Sequence, residues 1–187
     1  MNKLNGFKVA ILAANGFEEI ELEKPRNALE KEGAKTFLIS PEKEYVQGWN
    51  HMEVGDTFTV DVPLKEAKAD DYDALLLPGG VINPDRLRTI PEAINFVREM
   101  NNQKKPIAAI CHGPWLLINA DAVKNHKVTS WSSIKIDLIN AGAKWIDEPV
   151  VSDDNLITSR KPDDIPLFNE GMINLFSSWK EGHHSAQ

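Results

Sequence analysis

Among its 187 residues the chain carries a single cysteine, Cys111. It has no internal disulfide to form and no set of thiolates to hold zinc, so a reducing compartment is its natural setting. Positive charge is also scarce: 21 Lys and Arg stand against 28 Asp and Glu, a net charge of -7. That balance opposes binding to a phosphate backbone or an anionic membrane surface and removes nucleic acid from the expected partners. Long apolar runs are missing too, and no stretch approaches the ~20 residues of a membrane helix. The apolar run from Phe7 to Ala14 is interrupted by Lys8 and followed at once by Glu18, Glu19, Glu21 and Glu23, unlike a secretory leader. Cytoplasmic residence is the expectation. The histidines, His51, His112, His126, His183 and His184, are scattered, so neither a metal nor another cofactor is called for.

What the chain does have is enough apolar residue, 42%, for a sizeable core within one domain spanning 1–187. Phe7–Ala14 reads as a buried strand, Ile20–Gly33 as a helix with Pro25 as an irregularity, and Lys35–Ser40 as a second strand, a right-handed parallel unit. From Pro41 to Pro63 the pattern changes to short alternating segments, a small β-hairpin excursion. Asp73–Leu77 is a further strand, followed by helices around Asp85–Arg88 and Pro91–Asn102, a strand at Pro106–Ile110 and a helix at Gly113–Ala120. The alternation continues to a helix over Asp163–Trp179, and about 180–187 reads as a frayed tail. The expected architecture is α/β: one doubly wound, mostly parallel sheet flanked by helices on both faces.

In such sheets ligands bind beyond the carboxyl ends of the strands, where both Pro78-Gly79-Gly80 and Cys111 fall. Ala109 and Gly113 lie two residues either side of Cys111, the small-residue spacing of a nucleophile elbow. A lone cysteine is by default a small buried hydrophobe. Here the elbow and the Gly-Gly turn favour a nucleophile, and a helix opening just after it predicts a thiolate of low pKa. The N–H groups of Gly80 and His112 are candidates to hold an oxyanion. His112 is expected to turn away from the sulfur and to orient rather than deprotonate it. Acidic runs such as Glu18-Glu19-Ile20-Glu21 are usually solvated helix starts, but a carboxyl buried near the sulfur would stay protonated and shuttle a proton.

Gly16-Phe17-Glu18-Glu19-Ile20-Glu21, Leu77-Pro78-Gly79-Gly80, Ala109-Ile110-Cys111-His112-Gly113-Pro114 and Thr158-Ser159-Arg160-Lys161-Pro162-Asp163-Asp164 together resemble the PfpI family of the ThiJ/PfpI superfamily, related in fold to class I glutamine amidotransferases. The resemblance implies a three-layer, flavodoxin-like sandwich assembled as a homodimer or hexamer, with Cys111 as nucleophile, Glu21 as its hydrogen-bonding glutamate and Glu18 in the same pocket. It also implies an acidic residue from a neighbouring subunit on His112, here Asp85, shorter than the Glu of some members. Trp131 stands where other members often have Tyr, and shapes the pocket with Gly79 and Gly80. The activity implied is of the glyoxalase III or deglycase type, cofactor-free, on small aldehydes such as methylglyoxal or on glycated protein or nucleotide substrates. The alternatives are an intracellular cysteine peptidase and a redox-sensing stress chaperone.

Overall fold

A computed structural model describes residues 2–184. The apolar run near the start forms β1 (Lys8–Leu12), and both faces of this strand are covered. Val9 and Ile11 join one hydrophobic cluster while Ala10 and Leu12 join the other, the two-residue alternation of a strand buried on both sides. The chain continues through β2 (Phe17–Glu18) into α1 (Glu19–Lys31) and returns as β3 (Lys35–Ser40), parallel to β1. Pro25 does not break α1. It deprives only the Glu21 carbonyl of its helical donor, and the burial of Leu22 and Leu29 keeps the helix on the sheet.

The Gly-containing stretch forms β4 (Tyr45–Asn50) and β5 (Glu53–Thr59), an antiparallel hairpin that turns at His51-Met52. It pairs with β2 rather than with the main sheet, giving a separate three-stranded sheet. The main chain path then runs through β6 (Val62–Pro63), β7 (Ala74–Leu77), α2 (Ile82–Leu87), α3 (Pro91–Asn102), β8 (Ile107–Ile110) and α4 (Trp115–Asn119). β9 (Lys127–Val128) and β10 (Lys144–Trp145), with α5 (Lys135–Asn140) between them, form a small two-stranded pair. β11 (Val150–Asp153), β12 (Leu156–Ser159) and α6 (Ile165–His184) complete the fold.

The main sheet has the order β11-β12-β8-β7-β1-β3-β6, and β11 is its antiparallel edge strand. Strands β3-β1-β7-β8-β12 give the doubly wound flavodoxin order, whose switch point lies between β1 and β7. Helices α1 and α6 cover one face and α2 to α5 the other, so the molecule is the three-layer α/β sandwich that the strand and helix alternation predicts. No helix among the described residues is long and apolar enough to cross a membrane.

Three elements differ from their expected extents. The helix after Cys111 begins only at Trp115 and has 5 residues, because residues 111–114 are spent on a turn. The helix near Asp85 starts earlier, at Ile82. The tail is not frayed from Lys180: α6 continues to His184, with the Lys180 ammonium donating to the Asn5 carbonyl at 2.8 Å and the His183 ring stacked on Trp179 at 3.9 Å. Residues 185–187 lie outside the described residues.

The C-terminal helix docks through Phe168, Met172 and Phe176, all fully buried, and Phe176 packs on Phe7. Replacing Phe176 with Ala is expected to cost about 3–5 kcal/mol in urea unfolding. A loss below about 1 kcal/mol would show that α6 is not part of the cooperative core.

Candidate active site

Cys111 follows the last residue of β8 and adopts φ +63, a left-handed backbone that side chains rarely take. The chain turns so sharply there that neighbouring side chains are excluded. A Cβ on Gly113 would lie 2.5 Å from the Leu77 carbonyl oxygen and 2.9 Å from that of Ile110. A Cβ on Gly79 would meet the Cys111 Cβ at 2.7 Å, and one on Gly80, itself at φ +72, would meet the Gly16 carbonyl oxygen at 2.6 Å. The glycines of both strand-end turns therefore exist to let three backbones approach one sulfur. A hydrogen bond from the Cys111 N–H to the Ser159 carbonyl, 3.0 Å, and one from the Trp131 N–H to the Cys111 carbonyl, 2.9 Å, brace the elbow from either side.

The three glutamates of the α1 entrance take three separate positions. Glu21 is fully buried, accepts the Gly79 N–H through Oε1 at 3.1 Å, and interacts with the Cys111 thiol. Among the described residues its second oxygen has no hydrogen-bond partner. Burial, with the Glu18 charge adding to it, pushes the Glu21 carboxyl up to about 8, so it carries its proton at neutral pH. Glu18 lines the cavity above the sulfur and accepts the His51 N–H at 3.2 and 3.3 Å. Glu19 sits on the hairpin side and accepts the Asp56 N–H at 2.7 Å.

The thiol does not have the depressed pKa expected for it. Burial raises it first, and the charge of Glu21 raises it further, while the N–H groups of Gly80 and His112 pull in the opposite direction. The expectation rested on a helix dipole, but α4 is too short and begins too far from the sulfur to act as one. The two groups form a coupled pair. While Glu21 is protonated its repulsion is absent and it can donate to sulfur instead.

His112 also departs from expectation. Its Nδ1 lies 3.2 Å from the Cys111 sulfur and its Nε2 lies 3.3 Å from the Ser133 hydroxyl, so the ring is aimed at the thiol. Burial lowers its pKa, favouring the neutral ring that can accept a proton. Trp131 stacks on it with centroids 6.0 Å apart. Asp85 is exposed on α2 and is not among the residues that line this cavity.

Two contributors carry no local sequence signal. Asn83 is fully buried; it accepts the Ala14 N–H at 2.7 Å and donates to the Pro78 and Gly79 carbonyls, tying the end of β1 to the Gly-Gly turn. Ser133 supplies the far partner of His112. Arg160 pairs with Asp164 and Asp147, fixing the loop whose Pro162 reaches the cavity. The cavity is about 620 Å³ and is lined by Glu18, Glu21, Gly80, Cys111, His112 and Trp131 from the expected set, together with Gly16, Trp49, His51, Met52, Val81, Ile82 and Pro162.

A model of the DJ-1/PfpI family matches residues 7–175. The chain is 42% identical over 168 residues to Deglycase PfpI of Pyrococcus furiosus, covering 90% of this chain and 98% of that one. An uncharacterized protein of Staphylococcus aureus is 44% identical over 168 residues, with 89% and 96% covered. A solved two-domain structure from Anabaena variabilis, containing DJ-1/ThiJ/PfpI-like and ferritin-like domains, is similar with a TM-score of 0.85 at 36% identity. That match covers 90% of this chain and 47% of the two-domain chain.

The raised Glu21 pKa ties stability to pH with a definite sign. Between 4.5 and about 8 the unfolded chain has lost this proton while the native state keeps it, so stability falls as pH rises through that window and levels off above it. The contribution is on the order of 5 kcal/mol at most. Urea unfolding at pH 5, 7 and 9 is expected to show this decline in the parent and a flatter profile in Glu21→Gln. Parallel profiles for the two proteins would contradict a carboxyl that titrates in this range.

Proposed function

Because the chain belongs to the DJ-1/PfpI family, we propose that it is a stress-related, cofactor-independent cysteine enzyme acting on small α-oxoaldehydes or their amine adducts, of the glyoxalase III or deglycase type. The observation that carries this reading is a buried thiol at the floor of a cavity, flanked by a protonated carboxyl, a neutral imidazole and two backbone N–H donors. Such a set suits addition to a carbonyl. Sulfur attacks the aldehyde carbon as its proton passes to His112 Nδ1, and the displaced π pair collects on oxygen, held by the N–H groups of Gly80 and His112. Protonation of that oxygen, from Glu21 or from the imidazolium, gives a hemithioacetal.

The next step moves the hydrogen of the former aldehyde carbon to the neighbouring carbonyl carbon, with Glu18 or Glu21 as the relay. Both carboxyls line the cavity. The product is a thioester of the 2-hydroxy acid on Cys111; water attacks it, the sulfur leaves and takes a proton, and lactate is released from methylglyoxal or glycolate from glyoxal. On an adduct of a protein or nucleotide amine, sulfur displaces the amine at the same carbon. The similarity to Deglycase PfpI of Pyrococcus furiosus supports this assignment.

A cysteine peptidase is the second reading, favoured by the 3.2 Å contact between His112 Nδ1 and the sulfur. In it Asp85 would act on His112 of a neighbouring subunit in a homodimer or hexamer, since within its own chain it is exposed on α2 away from the cavity lining. Cleavage of quenched casein, lost on Asp85→Ala, would favour this reading over aldehyde chemistry.

Turnover of methylglyoxal is expected to fall by ~10³-fold in Cys111→Ser with the fold preserved. In the parent, kcat/KM should decline as pH rises through about 8, because Glu21 then loses the proton it contributes. Rates that keep climbing through that pH would identify a simple thiolate nucleophile and remove Glu21 from its role as an acid.

A further inference from the structure

A three-carbon dicarbonyl fills little of a 620 Å³ cavity, which belongs to the ~300–1,000 Å³ class that encloses drug-sized ligands. Above the sulfur its walls are apolar. Trp49 and Met52 approach from the β4–β5 hairpin, Val81 and Ile82 from the start of α2, and Trp131 from the opposite rim. Met52 is 89% exposed and Trp131 39%, an unusual amount of large apolar surface around one opening. The ionisable groups of the lining are Glu18, Glu21, Cys111, His51 and His112, and among the described residues no lysine or arginine lines it.

The hairpin is held in place by the glutamates beside the nucleophile's own partner. At its base, Glu19 accepts the Asp56 N–H, and Gly55 is packed so tightly that a Cβ there would overlap the Glu19 carboxylate. The Gln47 amide donates to the Gly48 carbonyl in its own strand and to the Gly55 carbonyl across the hairpin. At its tip, both Glu18 oxygens face the His51 N–H, and the His51 ring lies 3.6 Å from the same carboxylate. His51 takes φ +57 in this turn, so the N–H is aimed by the backbone itself.

We propose that the hairpin tip, Met52 with Trp49, is the specificity wall of the cavity, that Glu18 positions it, and that the preferred substrate is an α-oxoaldehyde or adduct with a bulky apolar substituent free of negative charge. The substrate class rests on the aldehyde reading above. The wall itself rests on geometry. An apolar substituent desolvates against Trp49, Met52 and Trp131, whereas a phosphate or carboxylate would meet the Glu18 charge without a lysine or arginine among the described lining residues to offset it.

The test compares kcat/KM for methylglyoxal, phenylglyoxal and 4-carboxyphenylglyoxal in the parent, Met52→Ala, Glu18→Ala and Glu18→Gln. Phenylglyoxal is expected to exceed methylglyoxal by about tenfold or more, chiefly through KM, and the ring carboxylate to reverse most of that gain. Met52→Ala and Glu18→Ala should each lower the phenyl-to-methyl ratio severalfold. Glu18→Gln keeps an acceptor for the His51 N–H and should retain the ratio even if proton relay, and with it kcat, suffers. An unchanged phenyl-to-methyl ratio in Met52→Ala, with methylglyoxal turnover intact in that variant, overturns the wall and leaves the aldehyde reading standing; an unchanged ratio in Glu18→Ala, whatever its kcat, overturns the positioning role of Glu18. Binding of acetophenone, which carries the ring without the aldehyde, separates the two further: saturable binding weakened in Met52→Ala supports the wall even if no dicarbonyl turns over, and no binding overturns it.

Discussion

The site depends on a left-handed backbone at a residue that is not glycine. At φ +63 Cys111 lifts its sulfur off the end of β8 instead of letting it alternate into the sheet, and the surrounding chain is shaped to permit this. Gly79, Gly80 and Gly113 leave no room for a Cβ because the backbones at the ends of β7 and β8 and around β2 converge there. Asn83 bridges the end of β1 to the Gly-Gly turn by hydrogen bonds to main-chain groups only. Strain at one position is thus offset by a braced backbone around it, and the brace also supplies the N–H groups that face the sulfur.

Electrostatics follows from that enclosure. A carboxyl and a thiol buried together cannot both ionise cheaply: burial raises both, the Glu21 charge raises the thiol further while the thiol's hydrogen bond pulls the carboxyl partly back down, and the pair is neutral near neutral pH. In the proposed chemistry, reactivity comes from proton transfer during attack, with His112 placed to accept, rather than from a standing thiolate. The neighbouring glutamates also fasten the hairpin that forms one side of the cavity, Glu18 from within the cavity lining and Glu19 from outside it. One turn at the start of α1 therefore sets both the acid partner and the shape of the opening.

Features encoded locally were legible in the sequence. The buried strands, the Gly-Gly turn after β7, the elbow spacing around Cys111 and the bounds of α3 follow from short patterns of size and polarity, and the hairpin from its alternation. What depends on distant contacts was not. The hairpin's docking on β2, the clamp by Asn83 across 69 residues and the Ser133 partner of His112 across 21 have no signal within a few residues. The direction of the thiol's shift is another such feature, set by burial and the approach of Glu21 rather than by a short helix. The helix runs on to His184, past the start of the expected frayed tail, because Lys180 and His183 find partners on Asn5 and Trp179.

The neutral carboxyl beside the sulfur is the claim on which the chemistry turns. Its most direct measurement is the carbon-13 resonance of the Glu21 carboxyl in glutamate-labelled protein, assigned by its absence in Glu21→Gln and followed with pH. A midpoint near 8 is the expected result. A midpoint at the ordinary value of 4.5 would mean that the carboxylate is ionised at neutral pH and that the thiol has no acid partner there.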